Sequence, residues 1–503
     1  SLKNMYSITE FILLGLICLL IYLIIKYPDR SIGTRPRPDI NGMKGYPLIG
    51  NLLDVTNGGD MTLFFQSLLI SYGPVATCTI PGIGRLITVN KPELLEHVMK
   101  TNFENYIKGT KFSDIVYDVL GDGIFNSNGH MWKFQRRLVS HLFRKENFRN
   151  VICVVFEEET KILLNILRET AKNGDVIDLH DLFYRFTLDS FGKITFKMDF
   201  GTLAHPEKPV QFAQAFDFVQ HVINKRFTHP LWKITELFTR EGAKMRSACK
   251  TLSDYAYDVV RKRRNDEEAL RKDDDILNMF MNAKVDDENG NERKLNDKEL
   301  IDIILNLLIA GRDTTAQALS WMMYNILVNP NVEEKLLKEI NSSENLIPHY
   351  DEVKQSQYIH AVFYETLRLY PSVPINGKVC IKDDILPNGI PIYAGEWASW
   401  SSWAMGRDRR IWGENAREFI PERFLESDVN LKPNQFKFNS FNCGPRLCIG
   451  QNFATVEALM VTTAILKQFE FELLPDQKSP PDYKQSLTLP MKEPLLVKVH
   501  IRH

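Results

Sequence analysis

The stretch FNCGPRLCIG, residues 441–450, stands directly before QNFATVEALMVTTAILKQF, a helical pattern over residues 451–469. Cys448 therefore lies in a tight loop at the N-terminus of a helix, where backbone N–H groups and the helix dipole lower the pKa of a thiol. Gly444 and Gly450 allow the backbone of this loop to approach a flat cofactor closely. Taken alone, however, a loop cysteine is more often structural than reactive.

Composition excludes several classes of protein. The 503 residues are 44% hydrophobic, enough to bury a large core, and the net charge of −1 gives no global field for nucleic acid. The cysteines are odd in number and widely spread, with no C-x-x-C pair, which argues against a disulfide framework or a zinc module. They are Cys18, Cys78, Cys153, Cys249, Cys380, Cys443 and Cys448.

The amino terminus carries an unbroken apolar run, Phe11–Ile25. As a helix this run would span ~22 Å, and residues on either side extend it toward the ~30 Å of a bilayer core. A buried core helix and a cleaved secretion signal are the alternatives, but no small-residue cleavage site follows, and basic residues crowd the far end. We expect residues 1–27 to be an uncleaved single anchor with the bulk of the chain in the cytosol. Since Ser1 replaces an initiator methionine, we expect a fragment boundary there.

Prolines interrupt residues 28–50, which indicates a stiff proline-rich hinge before a globular part, residues 51–503. Within that part, residues 74–89 predict two short paired strands, and a second β-rich patch runs over residues 373–400. The intervening residues 91–329 are predominantly helical by periodicity. The fold class is therefore mainly α with smaller β-sheets.

Four further short patterns stand out in the sequence. The sequence AGRDTT, residues 310–315, places a glycine, an acid and two hydroxyls inside a long apolar helix, where they are locally costly. By itself it predicts only a bent core helix. The sequences ETLR, residues 365–368, and PERF, residues 421–424, are weak charge patterns when taken singly. Trp132 and Arg136 share one face of a predicted helix.

Together these motifs carry a resemblance, because F-x-x-G-x-R-x-C-x-G is the haem-binding signature of the cytochrome P-450 family and every fixed position matches. The motifs occur in the family's order over nearly the whole chain. The sequence resembles the microsomal type, whose α+β fold follows one transmembrane helix. Within the family, its motifs most resemble those of the fungal alkane and plant fatty-acid ω-hydroxylases.

The resemblance implies a non-covalent haem b whose iron, the bound metal, is held by the Cys448 thiolate. Phe441 would pack beside the sulfur and Arg446 would face a haem propionate. Other implied haem contacts are Gly444, Gly450, Trp132, Arg136, Lys378 and Ala310. At Lys378 the family more often has arginine, which puts its propionate role in doubt. Animal fatty-acid ω-hydroxylases often carry a glutamate at the position of Ala310 that bonds covalently to haem, so Ala310 predicts non-covalent seating.

By the same resemblance the catalytic residues are Thr314, which hydrogen-bonds the activated oxygen, and Asp313, which helps to relay protons. Glu365 would bridge Arg368 and Arg423 in a buried cluster that supports the cysteine loop. Candidate substrate contacts, again by position, are mainly apolar. They are Phe112, Tyr117, Phe125, Asn306, Leu307, Val373, Ile375 and Leu487.

The expected reaction inserts one atom of O₂ into a lipophilic substrate as a hydroxyl group. The expected substrate is a fatty acid or an alkane. Alternative substrates for a hydroxylase of this class are a sterol or steroid, a terpenoid and a xenobiotic. Outside it stand a non-catalytic haem protein that senses or carries lipid and an O₂-independent haem-thiolate isomerase. The Asp313–Thr314 pair favours oxygen activation.

The sequence has no complete phosphate loop or flavin fingerprint, so electrons must come from outside. The expected donor is a separate membrane-bound diflavin reductase that binds NADPH, with a small haem electron-transfer protein as a second candidate. We expect a monomeric catalytic unit on the endoplasmic reticulum membrane, facing the cytosol and not binding nucleic acid. Basic residues that could meet an acidic reductase face are Lys133, Arg137, Arg144, Lys145 and Lys437.

Overall fold

Helices form most of this computed structural model, which describes residues 2–144, 147–270, 275–286, 292–425 and 434–502. The α-helices of these residues are α1 (Leu2–Lys26), α2 (Leu52–Asn57), α3 (Met61–Tyr72), α4 (Pro92–Glu96), α5 (Thr110–Leu120), α6 (Gly129–Leu142), α7 (Cys153–Asn173), α8 (Leu179–Phe196), α9 (Gln211–Arg226), α10 (Trp232–Phe238), α11 (Arg240–Arg264), α12 (Glu267–Leu270), α13 (Ile276–Asn282), α14 (Asp297–Leu327), α15 (Pro330–Ile340), α16 (Tyr350–Gln355), α17 (Tyr358–Leu369), α18 (Ser402–Gly406), α19 (Arg409–Trp412) and α20 (Gln451–Gln468). The predicted fold class, mainly α with small sheets, is confirmed.

The strands are short. They are β1 (Val75–Ile80), β2 (Gly84–Val89), β3 (Tyr106–Ile107), β4 (Val176–Asp178), β5 (Lys284–Asp286), β6 (Glu292–Lys294), β7 (Ile375–Cys380), β8 (Asp384–Ile385), β9 (Pro391–Ile392), β10 (Trp397–Ser401), β11 (Phe469–Leu473) and β12 (Leu496–Ile501). Both β-rich patches predicted from the sequence contain strands.

The chain divides into two compact units. Unit 1 comprises Ser1–Phe112, Lys225–Trp232 and Ile375–Met405, and unit 2 comprises Ser113–Asn224, Lys233–Pro374 and Gly406–His503. The division predicted from the sequence, into residues 1–27, 28–50 and 51–503, follows function and differs from these two units. It stays a prediction.

Unit 1 is built on a five-stranded sheet with the order β1-β2-β10-β7-β3. The predicted pair of strands in residues 74–89 is confirmed, since β1 and β2 pair antiparallel with Thr77 opposite Ile87. Five of the six residues in each of these strands are buried, which explains their β-branched and apolar composition.

The proline-rich segment, residues 28–50, belongs to unit 1 and is partly buried there. The Ser31 N–H donates to Thr79 Oγ1 at 3.0 Å, and the backbone of Gly42 pairs with Thr77 of β1. Arg37, 7% exposed, donates to Glu396 Oε2 at 2.6 Å. A segment with the composition of a free hinge is thus hydrogen-bonded to the sheet.

The apolar amino-terminal run forms α1. Its residues Ile8–Lys26 are long and apolar enough to cross a membrane, with a mean hydropathy of 2.7 and none of that stretch buried in the protein. This single candidate span among the described residues supports a membrane-anchored chain.

Unit 2 is organised around α14, a helix of 31 residues. It begins with a capping box, in which the Asn296 side chain accepts the Glu299 N–H and the Glu299 carboxylate accepts the Asn296 N–H. Most of α14 is buried, with α8 its most extensive helical neighbour. Ahead of α14 in the sequence, Arg263 of α11 is buried and pairs with Asp275.

Candidate active site

The cysteine loop, residues 441–450, is a tight turn closed by its own backbone. The Cys448 N–H donates to the Phe441 carbonyl at 2.8 Å, and the N–H of Gly444 donates to Gln435 Oε1 at 2.9 Å. Gly444 has a φ of +59°, a left-handed conformation that favours glycine. Helix α20 then begins at Gln451, which places Cys448 just before its first turn.

The two cysteines of this loop differ in exposure. Cys443 is fully buried, whereas Cys448 is exposed. Desolvation of the sulfur raises the pKa of the Cys448 thiol, whereas its place at a helix N-terminus predicted a lowered pKa; the Gly450 N–H and the charge of Arg136 oppose the rise. Coordination to a metal cation removes the proton in any case, so this pKa does not prevent ligation.

Two guanidinium groups lie close to the loop. Arg446 donates to the carbonyls of Ile124 at 3.2 Å and Ser127 at 2.8 Å, and its guanidinium lies 4.2 Å from the centroid of the Trp132 ring. Arg136 lies 5.8 Å from the same ring. Burial and the charge of Arg136 lower the pKa of Arg446 to about 9.

These two cations lack an acidic partner among the described residues, since no carboxylate forms an ion pair with either. In addition, the buried Nε of Arg446 has no hydrogen-bond partner there. Two partly buried positive charges of this kind are stabilised by an anion with several oxygens.

Lys378 lies on β7 in unit 1. Its ammonium donates to the Tyr106 carbonyl at 3.0 Å and lies 4.0 Å from the centroid of the Phe103 ring. A contact of Lys378 with haem stays a prediction.

The AGRDTT motif falls in the middle of α14, and the helix continues through it without interruption. In this part of α14 nearly every residue is buried, but Ile309, Ala310 and Thr314 are only half-buried. Ala310 and Thr314 are one turn apart, so they define a partly open strip on a buried helix. The Thr314 hydroxyl donates to the Ala310 carbonyl at 2.8 Å.

Asp313 is 1% exposed and lies in a polar network behind that strip. Its Oδ1 accepts from Arg312 at 2.7 Å and its Oδ2 accepts from the Gln220 amide at 2.7 Å. Arg312 also reaches Asp217 at 3.5 Å. Burial raises the pKa of Asp313 above its ordinary value, although Arg312 and Gln220 oppose that shift.

Gly311 allows α8 to approach α14 closely. A Cβ atom at this position would lie 2.0 Å from the ring of Phe191. The glycine therefore fits the packing of two helices.

The structure brings Glu365, Arg368 and Arg423 together. Arg368 binds both oxygens of Glu365, at 2.6 and 2.7 Å, and Arg423 Nε lies 3.3 Å from Glu365 Oε1. The Ser440 hydroxyl donates to the Leu367 carbonyl at 2.8 Å, which ties α17 to the residue before the cysteine loop. Removing one partner would strand a buried charge at a cost of about 3–5 kcal/mol.

The predicted substrate contacts fall in both units. Phe112 and Ile375 belong to unit 1, where the Phe112 ring lies 6.1 Å from that of Phe227. In unit 2, Tyr117 and Phe125 are 42% and 38% exposed. The remaining residues are buried or half-buried: Asn306, Leu307, Val373 and Leu487.

Two buried groups were not predicted from the sequence. Gln220 contacts Asp313, and Glu457 on α20 accepts a hydrogen bond of 2.5 Å from Ser190. Burial raises the pKa of Glu457 to about 8. No local motif marks Gln220, whereas Glu457 could have been noticed as an acid inside an otherwise apolar helix.

The chain is similar in sequence to known proteins over most of its length. The family model for cytochrome P450 matches residues 40–499. Cytochrome P450 monooxygenase cyp1 of Mycosarcoma maydis is 40% identical over 514 residues, covering 97% of this chain and 80% of that protein. Cytochrome P450 704B1 of Arabidopsis thaliana is 34% identical, covering 92% of this chain and 95% of that protein. Cytochrome P450 94A1 of Vicia sativa is 34% identical, covering 85% and 84%.

The chain belongs to the cytochrome P450 family. It is a cytochrome P450 monooxygenase, an enzyme that uses a haem-thiolate cofactor with molecular oxygen to act on a small molecule.

Proposed function

We propose that Cys448 provides the thiolate ligand and that the enzyme hydroxylates a fatty acid or an alkane. The observation that carries the oxygen-activating part of this proposal is the partly open strip of Ala310 and Thr314, backed by the buried carboxyl of Asp313. A hydroxyl on a half-buried helix face next to a buried acid is suited to proton delivery during oxygen activation.

The residues present fit a haem. Cys448 is an exposed thiol at a helix N-terminus, and a cysteine thiolate is one of the groups that would hold haem iron. Arg446 and Arg136 are two cations without a carboxylate partner among the described residues, and the Nε of Arg446 is a buried donor still to be used. Haem propionates would supply the missing anionic oxygens.

When bound, the haem supplies the activation of O₂ for insertion into a C–H bond. Residues of the chain supply the protons that this reaction consumes. Asp313, whose pKa burial raises, can hold and release a proton near neutral pH, and Gln220 and Arg312 orient its carboxyl. The Thr314 hydroxyl, one residue on, can pass a proton toward the open strip.

The substrate class rests on the resemblance of the loop, distal-helix and cysteine motifs to alkane and fatty-acid ω-hydroxylases, and on the apolar character of most candidate contacts. The test is a spectral titration of the purified holoenzyme with fatty acids, alkanes, sterols and terpenes, followed by product analysis. We expect a spin-state change and terminal or near-terminal hydroxylation with fatty acids or alkanes. Turnover of sterols or terpenes alone would overturn the substrate class.

The same assay separates the other classes of function. Product formation that requires NADPH, a reductase and O₂ is expected of a monooxygenase. Conversion without O₂ and reductant would indicate an isomerase. Lipid binding without any product under all these conditions would indicate a sensor or carrier.

We further propose that a diflavin reductase at the endoplasmic reticulum membrane supplies the electrons. Lys133, Arg137 and Arg144 are exposed, as docking residues must be, whereas Lys437 is half-buried with its ammonium 4.5 Å from the Trp412 ring centroid. Lys145 lies outside the described residues. Higher ionic strength should slow reduction of the haem in stopped-flow measurements, and Lys133→Glu with Arg137→Glu should weaken that dependence. Salt-independent reduction would contradict electrostatic docking.

A further inference from the structure

The segment GDGIFNSN, residues 121–128, joins α5 to α6 and is bound by one side chain of α14. The Asn306 amide donates to the carbonyls of Leu120 at 2.8 Å and Asp302 at 2.7 Å. Its Oδ1 accepts the Phe125 N–H at 3.2 Å. Asn306 is 1% exposed. Its oxygen and both amide hydrogens are thus committed to backbone groups and leave little for a substrate.

The neighbouring turn of α14 makes a second attachment. Asp302, 5% exposed, accepts the Asp122 N–H at 3.1 Å and pairs with Lys298 at 2.6 Å. Cβ atoms at Gly121 and Gly123 would lie 2.2 Å from the Asp302 carboxyl and 2.1 Å from the Asn306 amide. The two glycines therefore permit the segment to lie directly on these side chains.

The far side of the segment is held by the cysteine loop. Arg446 donates to the carbonyls of Ile124 and Ser127, which flank Phe125 and Asn126. The segment thus bridges α14 and the arginine of the proposed haem site. Between these attachments, the Phe125 ring is 38% exposed.

We infer that Asn306 is a positioning residue that fixes segment 121–128 and, through the Phe125 backbone, sets the position at which the substrate is oxidised. This inference rests on the proposed hydroxylase function. Loss of the amide would leave the Phe125 N–H without its acceptor, and the buried Leu120 carbonyl would keep the Gly123 N–H at 2.9 Å as a donor. The segment would then sample other conformations, and the Phe125 ring would no longer confine the substrate to one pose.

Helix α14 offers a matched control. Asn325 is also buried, at 3% exposed, but its amide donates to the Trp321 carbonyl of the same helix at 2.6 Å. Asn306→Leu and Asn325→Leu therefore make the same chemical change on one helix, and only the first releases the segment.

The first measurement is hydrogen exchange of the holoenzyme without substrate, followed in peptides that cover residues 121–128. Asn306→Leu should speed exchange there by about tenfold, as expected from the loss of one or two hydrogen bonds, and Asn325→Leu should not. Unchanged exchange in Asn306→Leu would overturn the positioning role, whatever the substrate proves to be.

The second measurement is the distribution of hydroxylated positions on one fatty acid. Asn306→Leu and Phe125→Ala should each broaden it severalfold, and the double variant should add little, because both changes act through one ring. Fast exchange with an unchanged distribution, or full additivity, would overturn the specificity role. If no lipid is oxidised by the unaltered enzyme, the proposed substrate class fails while the exchange result still decides the positioning role.

Discussion

Gln220 on α9 donates a hydrogen bond of 2.7 Å to Oδ2 of Asp313 on α14, although the two residues are 93 positions apart. Ser486 and Thr488 lie 3.4 and 3.3 Å from the amide oxygen of Gln220 and donate to it. These contacts fix which end of the amide faces the carboxyl. The bond stabilises the charged form of Asp313 and so opposes the effect of burial on its pKa.

Gln220→Met should raise the pKa of Asp313 further, because it removes a donor to the carboxylate. The pH profile of product formation should therefore shift its Asp313-dependent midpoint upward. Asn325→Leu is the control, since Asn325 is equally buried but its amide donates to the Trp321 carbonyl of the same helix. A midpoint that does not move in Gln220→Met would argue against a role of Asp313 in the proton supply.

Thr314→Ala should uncouple NADPH consumption from hydroxylation and release peroxide, because the hydroxyl next to Asp313 is lost. We expect the product formed per NADPH to fall at least about fivefold. Thr314→Ser keeps a hydroxyl that can donate to the Ala310 carbonyl and should retain most of the coupling. Equal coupling in the alanine variant and the unaltered enzyme would contradict this role.

Gly311→Ala should destabilise the protein by about 1–3 kcal/mol, because the added methyl group meets the Phe191 ring. Phe191→Leu removes part of that ring, so combining the two changes should cost less than the sum of their separate effects. Chemical denaturation of the holoenzyme measures all three variants. Strict additivity would show that the alanine is accommodated elsewhere.

Glu457 makes stability depend on pH. Its pKa in the folded protein is raised to about 8, so the folded state binds more protons than the unfolded state between the two pKa values. Stability contributed by this group is therefore lost as pH rises, by up to about 1.4 kcal/mol per pH unit. Glu457→Gln should lessen the loss between about pH 5 and 8 in unfolding experiments. The control Glu344→Gln changes an exposed residue and should leave the pH dependence of stability unchanged. If stability falls with pH equally in Glu457→Gln and in the unaltered enzyme, the raised pKa of Glu457 is contradicted.

The local parts of the site could be predicted from the sequence. The turn before α20, the position of Thr314 in a long helix and the pairing of β1 with β2 all follow from periodicity and from glycine and proline placement. The cluster of Glu365, Arg368 and Arg423 was predictable only through the family resemblance, since Arg423 lies 58 positions from Glu365.

The long-range polar contacts could not be predicted in this way. Nothing near Gln220 marks it as a partner of Asp313, and Asn306 was expected to contact substrate although its amide binds a loop 186 residues earlier. A single sequence shows which side chains can donate or accept hydrogen bonds. It does not show which distant groups will be their partners. The buried Arg37 in a proline-rich stretch is a further case, because composition alone predicts exposure there.

The attachment of Ser31 and Arg37 to the sheet of unit 1 bears on how the enzyme can be shortened for work in solution. Removing α1 alone would leave the Ser31 N–H on Thr79 and the guanidinium of Arg37 on Glu396 intact. A cut placed after Asp39 would delete both and leave the buried Glu396 with the Tyr393 N–H at 3.0 Å and, as its one ion-pair partner in the described part of the chain, the more distant Arg85 at 3.9 Å. The useful cleavage point therefore lies between Lys26 and Ser31, well ahead of the last proline of the stretch.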